Sequence, residues 1–105
     1  MNEMHVWFTY LFDERKDKRG YVKCFECGKL LHEDRYREIS TCYSHILSKK
    51  RYPKYKGIPL NVQIVCPDCH NLYELKPRKA KNQYNLKLKL LKMDKEDGHI
   101  LPQNQ

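Results

Sequence analysis

Cys24-Phe25-Glu26-Cys27-Gly28, answered downstream by Cys66-Pro67-Asp68-Cys69-His70, is the part of this sequence that decides the fold. Each Cys-x-x-Cys pair puts two thiols on one tight turn, and two such turns can close a tetrahedron around a single zinc ion. Gly28 follows the first pair, where a residue without Cβ lets the backbone turn under a metal. Sulfur ligands at all positions of a tetrahedron leave no open coordination site, so the ion reads as structural and its binding energy as folding energy. Disulfides and a thioredoxin-like redox pair compete for the same residues. A second pair and the lack of a βαβ pattern argue against redox chemistry, and a reducing compartment argues against disulfides. The fifth cysteine, Cys42, falls in an apolar run and is assigned to packing.

A staple is what this composition needs. The chain has 105 residues, 40% hydrophobic and 32% charged, which is one small domain with too little apolar material for a large core. Lys and Arg outnumber Asp and Glu by 21 to 13, a formal charge of +8 that attracts polyanions, nucleic acid first among them. Plain solubility is the competing account of that charge. Residues 1–12 lack the basic segment and small-residue cleavage site of a secretory leader, and no run is long enough to span a bilayer. The expectation is an intracellular protein without membrane contact.

Outward from the knuckles, residues 4–15 carry Val6, Trp7, Tyr10 and Leu11 at helical spacing and predict a short amphipathic helix, with Trp7 packing on the domain. Residues 30–35 read as the first arm of an irregular hairpin. Residues 37–46 read as a strand ending at Ser44-His45. Residues 49–59, rich in Lys, Tyr, Pro and Gly, read as an exposed loop, and 62–65 as a returning strand. The second knuckle opens a helix near Asp68, Pro77 interrupts it, and residues 79–93 resume with Tyr84, Leu88 and Leu91 on one face. The remainder, 94–105, reads as a flexible tail.

Between the knuckles, Tyr43-Ser44-His45-Ile46-Leu47-Ser48, then Asn61, then His70 directly after the second Cys-x-x-Cys, resembles the HNH endonuclease family. The resemblance covers residues 24–74. It implies an α+β fold: a small zinc-stapled ββα-metal (HNH) domain with flanking N- and C-terminal helices, here one domain over residues 1–93 with its core at 24–76. It implies that His45 is the general base taking a proton from the attacking water, and that Asn61 ties down the loop carrying it. It also implies that His70 ligates a catalytic Mg²⁺ or Mn²⁺. Glu74, one helical turn on at i+4, is a chemically sensible second ligand. Ser44 stands where many members have Asp or His as a metal ligand, so either Ser44 binds weakly or through water, or Glu74 supplies the missing charge, or the nuclease is inactive. Lone histidines are usually packing or surface residues, and His5, His32 and His99 are read that way.

Lys49, Lys50, Arg51, Lys54 and Lys56 follow the candidate base, where a phosphate backbone has to approach, and Tyr52 or Tyr55 can stack there. Lys76, Arg78, Lys79 and Lys81 extend the track. The function expected is metal-dependent hydrolysis of phosphodiester bonds, with DNA as the partner. The alternative is a catalytically inactive HNH-fold zinc module acting as a nucleic-acid- or protein-binding adaptor. Stand-alone domains of this kind resemble those of phages and mobile elements, which implies the cytoplasm of a bacterium or a phage-infected host.

Overall fold

The computed structural model describes residues 3–97. Helix α1 (Glu3–Arg15) leads into strand β1 (Tyr21–Lys23), which pairs antiparallel with β2 (Leu30–His32) in the register Val22 opposite Leu31. A single helical turn, α2 (Glu33–Tyr36), follows. Strand β3 (Tyr43–His45) pairs antiparallel with β4 (Val62–Ile64), placing His45 opposite Val62. Helices α3 (Pro67–Leu75) and α4 (Lys81–Asp97) complete the chain. The architecture is thus α+β, with two small two-stranded sheets and a helix at each end.

The first knuckle is the turn of the β1–β2 hairpin. Cys24 N–H donates to the Lys29 carbonyl at 2.7 Å, and Gly28 N–H to the Cys24 carbonyl at 2.9 Å. Gly28 sits at φ +80°, as its place under the knuckle requires. Residues 30–35 are therefore the second arm of this hairpin, followed by α2, and not the first arm of one. β1 escaped the sequence reading because three residues give no measurable alternation. The strand expected over 37–46 shrinks to Tyr43–His45, since Ser40–Cys42 winds into a 3₁₀ turn.

Two apolar clusters hold these elements. The larger joins Phe8, Leu11 and Phe12 of α1 to Leu31, Tyr43, Val62, Ile64 and Val65 and to the buried cysteines. α1 turns the i, i+3, i+4 face of Phe8, Leu11 and Phe12 inward. The sequence reading chose a face rotated from this one: Val6 is 53% and Tyr10 55% exposed. Trp7, half-buried, does pack on the cluster.

The smaller cluster holds Ile46, Leu47, Tyr55 and Leu90, flanked by Tyr52, Leu60, Tyr73 and Leu86. Residues 49–59 are therefore an anchored loop rather than a freely exposed one, with Tyr55 almost fully buried and its hydroxyl donating to Asp94. That burial removes Tyr55 from any stacking role. α4 turns Gln83 and Leu90 inward, behind the buried Ala80 that precedes it, whereas Leu88 is exposed. It runs to Asp97, so residues 94–97 are helix and not tail. The rest of the expected tail, with His99, lies outside the described residues.

Phe12→Ala is expected to destabilise the zinc-loaded domain by about 3–5 kcal/mol, as for a fully buried aromatic, while Tyr10→Ala leaves the urea midpoint unchanged. Equal midpoint shifts for the two variants would refute this assignment of the inward face.

Candidate functional site

The two knuckles converge. The Sγ atoms of Cys24, Cys27, Cys66 and Cys69 all lie within 4.8 Å of one another, and Cys27 Sγ is 3.9 Å from Cys66 Sγ. A zinc ion bonded to sulfur at about 2.3 Å sets tetrahedral edges of about 3.8 Å, so the set is compatible with zinc. Backbone N–H groups of Cys27 and Cys66 donate to Cys24 Sγ at 3.5 and 3.2 Å, which suits a sulfur carrying negative charge. Burial pushes the Cys24 and Cys69 thiols above the ordinary range, whereas N–H donation from Lys29 draws the exposed Cys27 below it. A dication held among the four sulfurs would offset the cost of burying thiolates there. Cys42 stays apart, buried, with its thiol pushed up to about 12 by desolvation, and so is inert packing as expected.

One connection here was not read from the sequence. Glu26, inside the first knuckle, accepts from the backbone N–H groups of Asn82 and Gln83 at 3.0 Å each, in the first turn of α4. The Asn82 side chain donates back to the carbonyls of Phe25 and Glu26 at 3.1 and 3.0 Å. Gln83, fully buried, donates to the Cys69 carbonyl at 3.1 Å. A carboxylate meets the free N–H groups and positive end of a helix, so α4 docks on both knuckles. The signal available was a helix start lacking an acidic residue of its own, but nothing in it points to a partner 56 residues away.

A cleft of about 680 Å³ opens beside β3, and His45, Lys49, Lys50, Arg51, His70 and Glu74 line it. His45 Nε2 lies 2.9 Å from the Lys56 carbonyl. A carbonyl only accepts, so Nε2 carries the proton and Nδ1 is the basic nitrogen. The ring tilts over Phe8 with centroids 5.6 Å apart. Burial holds its pKa below the ordinary 6.5, aided by Lys49 and opposed by the Lys56 bond, so the ring is neutral at pH 7. His70 Nε2 and Glu74 Oε1 stand 3.7 Å apart on one face of α3.

Asn61 is fully buried and acts as a latch. Its Oδ1 accepts from Leu47 N–H at 2.7 Å, and its Nδ2 donates to the carbonyls of Leu47 and Tyr55 at 3.1 and 3.2 Å. Its backbone carbonyl accepts from Ile46 N–H at 2.8 Å. The segment leaving His45 and the basic loop are thereby fixed to β4.

Other sequence candidates fall elsewhere. Ser44 alternates to the opposite face of β3 from His45, is buried, and donates to Gln83 Oε1 at 2.7 Å. It is not brought to the cleft, which corrects its assignment as a metal ligand. Lys54 pairs with Asp94 at 3.5 Å, and Lys56 lines a separate groove beside Trp7, so these two leave the basic set around His45. Lys76, Arg78, Lys79 and Lys81 also lie outside the cleft lining, whereas Lys87, not anticipated, belongs to it. His32 and His5 are occupied locally, by the Arg19 carbonyl and by Glu38.

Among the described residues, the cysteines are the one group of three or more His, Cys, Asp or Glu gathered closely enough to hold a metal. No helix among those residues is long and apolar enough to cross a membrane. Comparisons with protein-family models, with curated proteins and with solved structures return no match.

Replacing Cys27 or Cys66 by Ser, or stripping the metal with a strong chelator, is expected to abolish the cooperative thermal transition. An unchanged melt by circular dichroism, with no zinc found by elemental analysis, would remove the metal from the fold.

Proposed function

We propose that this chain is a metal-dependent endonuclease of HNH type that hydrolyses phosphodiester bonds, with DNA as its substrate and a structural zinc in its knuckles. The observation that carries the reading is a half-buried, neutral histidine sharing one cleft with a His–Glu pair and four cations. Phosphoryl transfer asks for a positioned nucleophile and neutralised charge more than for covalent help, and these groups answer both needs.

The lining residues have separate duties. His45, its Nε2–H held by the Lys56 carbonyl, accepts the proton of an attacking water at Nδ1. Asn61 keeps the segment after His45 from shifting, a positioning role since it touches no substrate. Lys49, Lys50 and Arg51 draw the phosphate backbone in and neutralise it. His70 and Glu74, with donors 3.7 Å apart on one face of α3, are the residues that would hold a hard dication. The chemistry such an ion would supply is neutralisation of the charge that develops during phosphodiester hydrolysis.

A second reading rests on a specific observation. Among the described residues, His70 and Glu74 are joined by no third metal-binding side chain at the same spacing, which favours a non-catalytic zinc module that binds nucleic acid or protein. Metal dependence separates the two, because only the enzyme needs added Mg²⁺ or Mn²⁺.

Nicking of supercoiled plasmid by the zinc-loaded protein is expected to need Mg²⁺ or Mn²⁺ and to fall about 10²–10⁴-fold in His45→Ala, whose fold is retained. The base must be neutral to work and its pKa is lowered, so activity stays level from pH 8 to 7 and drops only below the ordinary histidine pKa of about 6.5. Wild-type rates in His45→Ala would remove His45 from the base role. No nicking by folded, zinc-loaded protein would leave the binding module.

A further inference from the structure

Most cations among the described residues stand without a carboxylate partner, but four of them share one cleft. Lys16, Arg37, Lys54 and Lys92 each have a carboxylate within 4.0 Å. Lys49, Lys50, Arg51 and Lys87 have none among the described residues, and all four line the cleft, whose one carboxylate is Glu74.

Lys87 is the unexpected member. It lies on α4, four residues after the buried Gln83 and three before the buried Leu90, on the stripe that faces the domain. Asp94, one heptad further along the same stripe, is engaged by Lys54 and Tyr55. Lys87, its side chain half-buried on an inward stripe, shares the cleft with three like charges, which together favour an anion there. Its helix is rigidly seated: the first turn is clamped to the knuckles by Glu26, Asn82 and Gln83, and Leu90 is locked in the smaller core.

We infer that Lys87 is a phosphate-binding residue, so that a phosphodiester backbone is gripped between α4 and the basic residues 49–51. This rests on the reading of the cleft as a nucleic-acid site and extends that site beyond the segment between the knuckles. The ligand is a polyanion spanning at least two phosphates, one on each wall. Contacts of this kind are independent of base sequence.

The test is fluorescence anisotropy of a labelled duplex oligonucleotide with the full-length, zinc-loaded protein, without Mg²⁺ or Mn²⁺, over a range of NaCl concentrations. Lys87→Gln is expected to lower the slope of log K against log[NaCl] by about 0.9 and to weaken binding about fivefold at physiological salt, the counterion term of one phosphate contact. Lys87→Arg retains wild-type binding. Lys89→Gln, the same charge change at an exposed position of α4 outside the cleft, leaves the slope intact. Matching thermal melts exclude a folding effect. If the wild type binds and Lys87→Gln behaves as Lys89→Gln does, the inference falls while the nuclease reading stands. A wild type that binds no duplex overturns both.

Discussion

Four sulfur atoms within 4.8 Å of one another, three of their residues buried, are a constraint on everything around them. Without a cation, burial pushes the Cys24 and Cys69 thiols up, and the knuckles are held by their apolar packing and by the Glu26, Asn82 and Gln83 bonds. A dication there would join the β1–β2 hairpin to the start of α3, residues far apart in sequence. In a chain with two small apolar clusters instead of one large core, that joint decides whether the clusters are held in register at all.

The flanking helices are fixed by polar bonds as much as by apolar area. At one end, Arg15 carries its guanidinium into a half-buried position and donates to the carbonyls of Val62 and Pro59 at 2.7 and 3.0 Å. Burial lowers its pKa, yet an arginine remains charged, and the two carbonyl dipoles are what it has in exchange for water. The segment it grips, Pro59–Asn61 and the start of β4, carries the Asn61 latch. α1 also supplies Phe8, stacked on Tyr43 at 4.5 Å and packed beside His45. At the other end, Glu26 joins α4 to the first knuckle, and Gln83 bridges the Cys69 carbonyl and the Ser44 hydroxyl. Both helices therefore bear on the strand that holds His45.

What the sequence made legible follows from the range of its signals. The cysteine pairs were readable because metal ligation imposes a spacing that survives any tertiary detail, and they meet as that spacing demands. β4 and α3 were readable because apolar residues and a helix-opening proline act locally. The inward faces of α1 and α4 were not. On α1 the apolar residues run nearly all round the helix, so composition cannot choose between Val6–Tyr10 and Phe8–Phe12. On α4 the inward stripe includes Lys87 and Gln83, and the polarity of Gln83 is answered only by residues remote in sequence. Ser44 misled for a related reason: next to His45 along the chain, it is on the other side of the strand in space.

Under the proposed function the protein uses two metals, and ligand chemistry keeps them apart. A closed set of four thiolates is soft, fills a tetrahedron and leaves no position for water, so it serves zinc and cannot activate a nucleophile. His70 and Glu74 offer nitrogen and oxygen on a cleft wall open to solvent, which suits a harder ion that retains waters and accepts phosphate oxygens. Helix α3 carries both sets, Cys69 on its buried side and His70 and Glu74 toward the cleft, so the folding metal orients the helix that would present the second. Ser44 has no part in either set, because its hydroxyl is committed to Gln83. The acidic ligand that the resemblance places next to the base is therefore missing by geometry as well as by residue type. In this chain the negative charge for a hard ion has to come from Glu74 and from the phosphate itself.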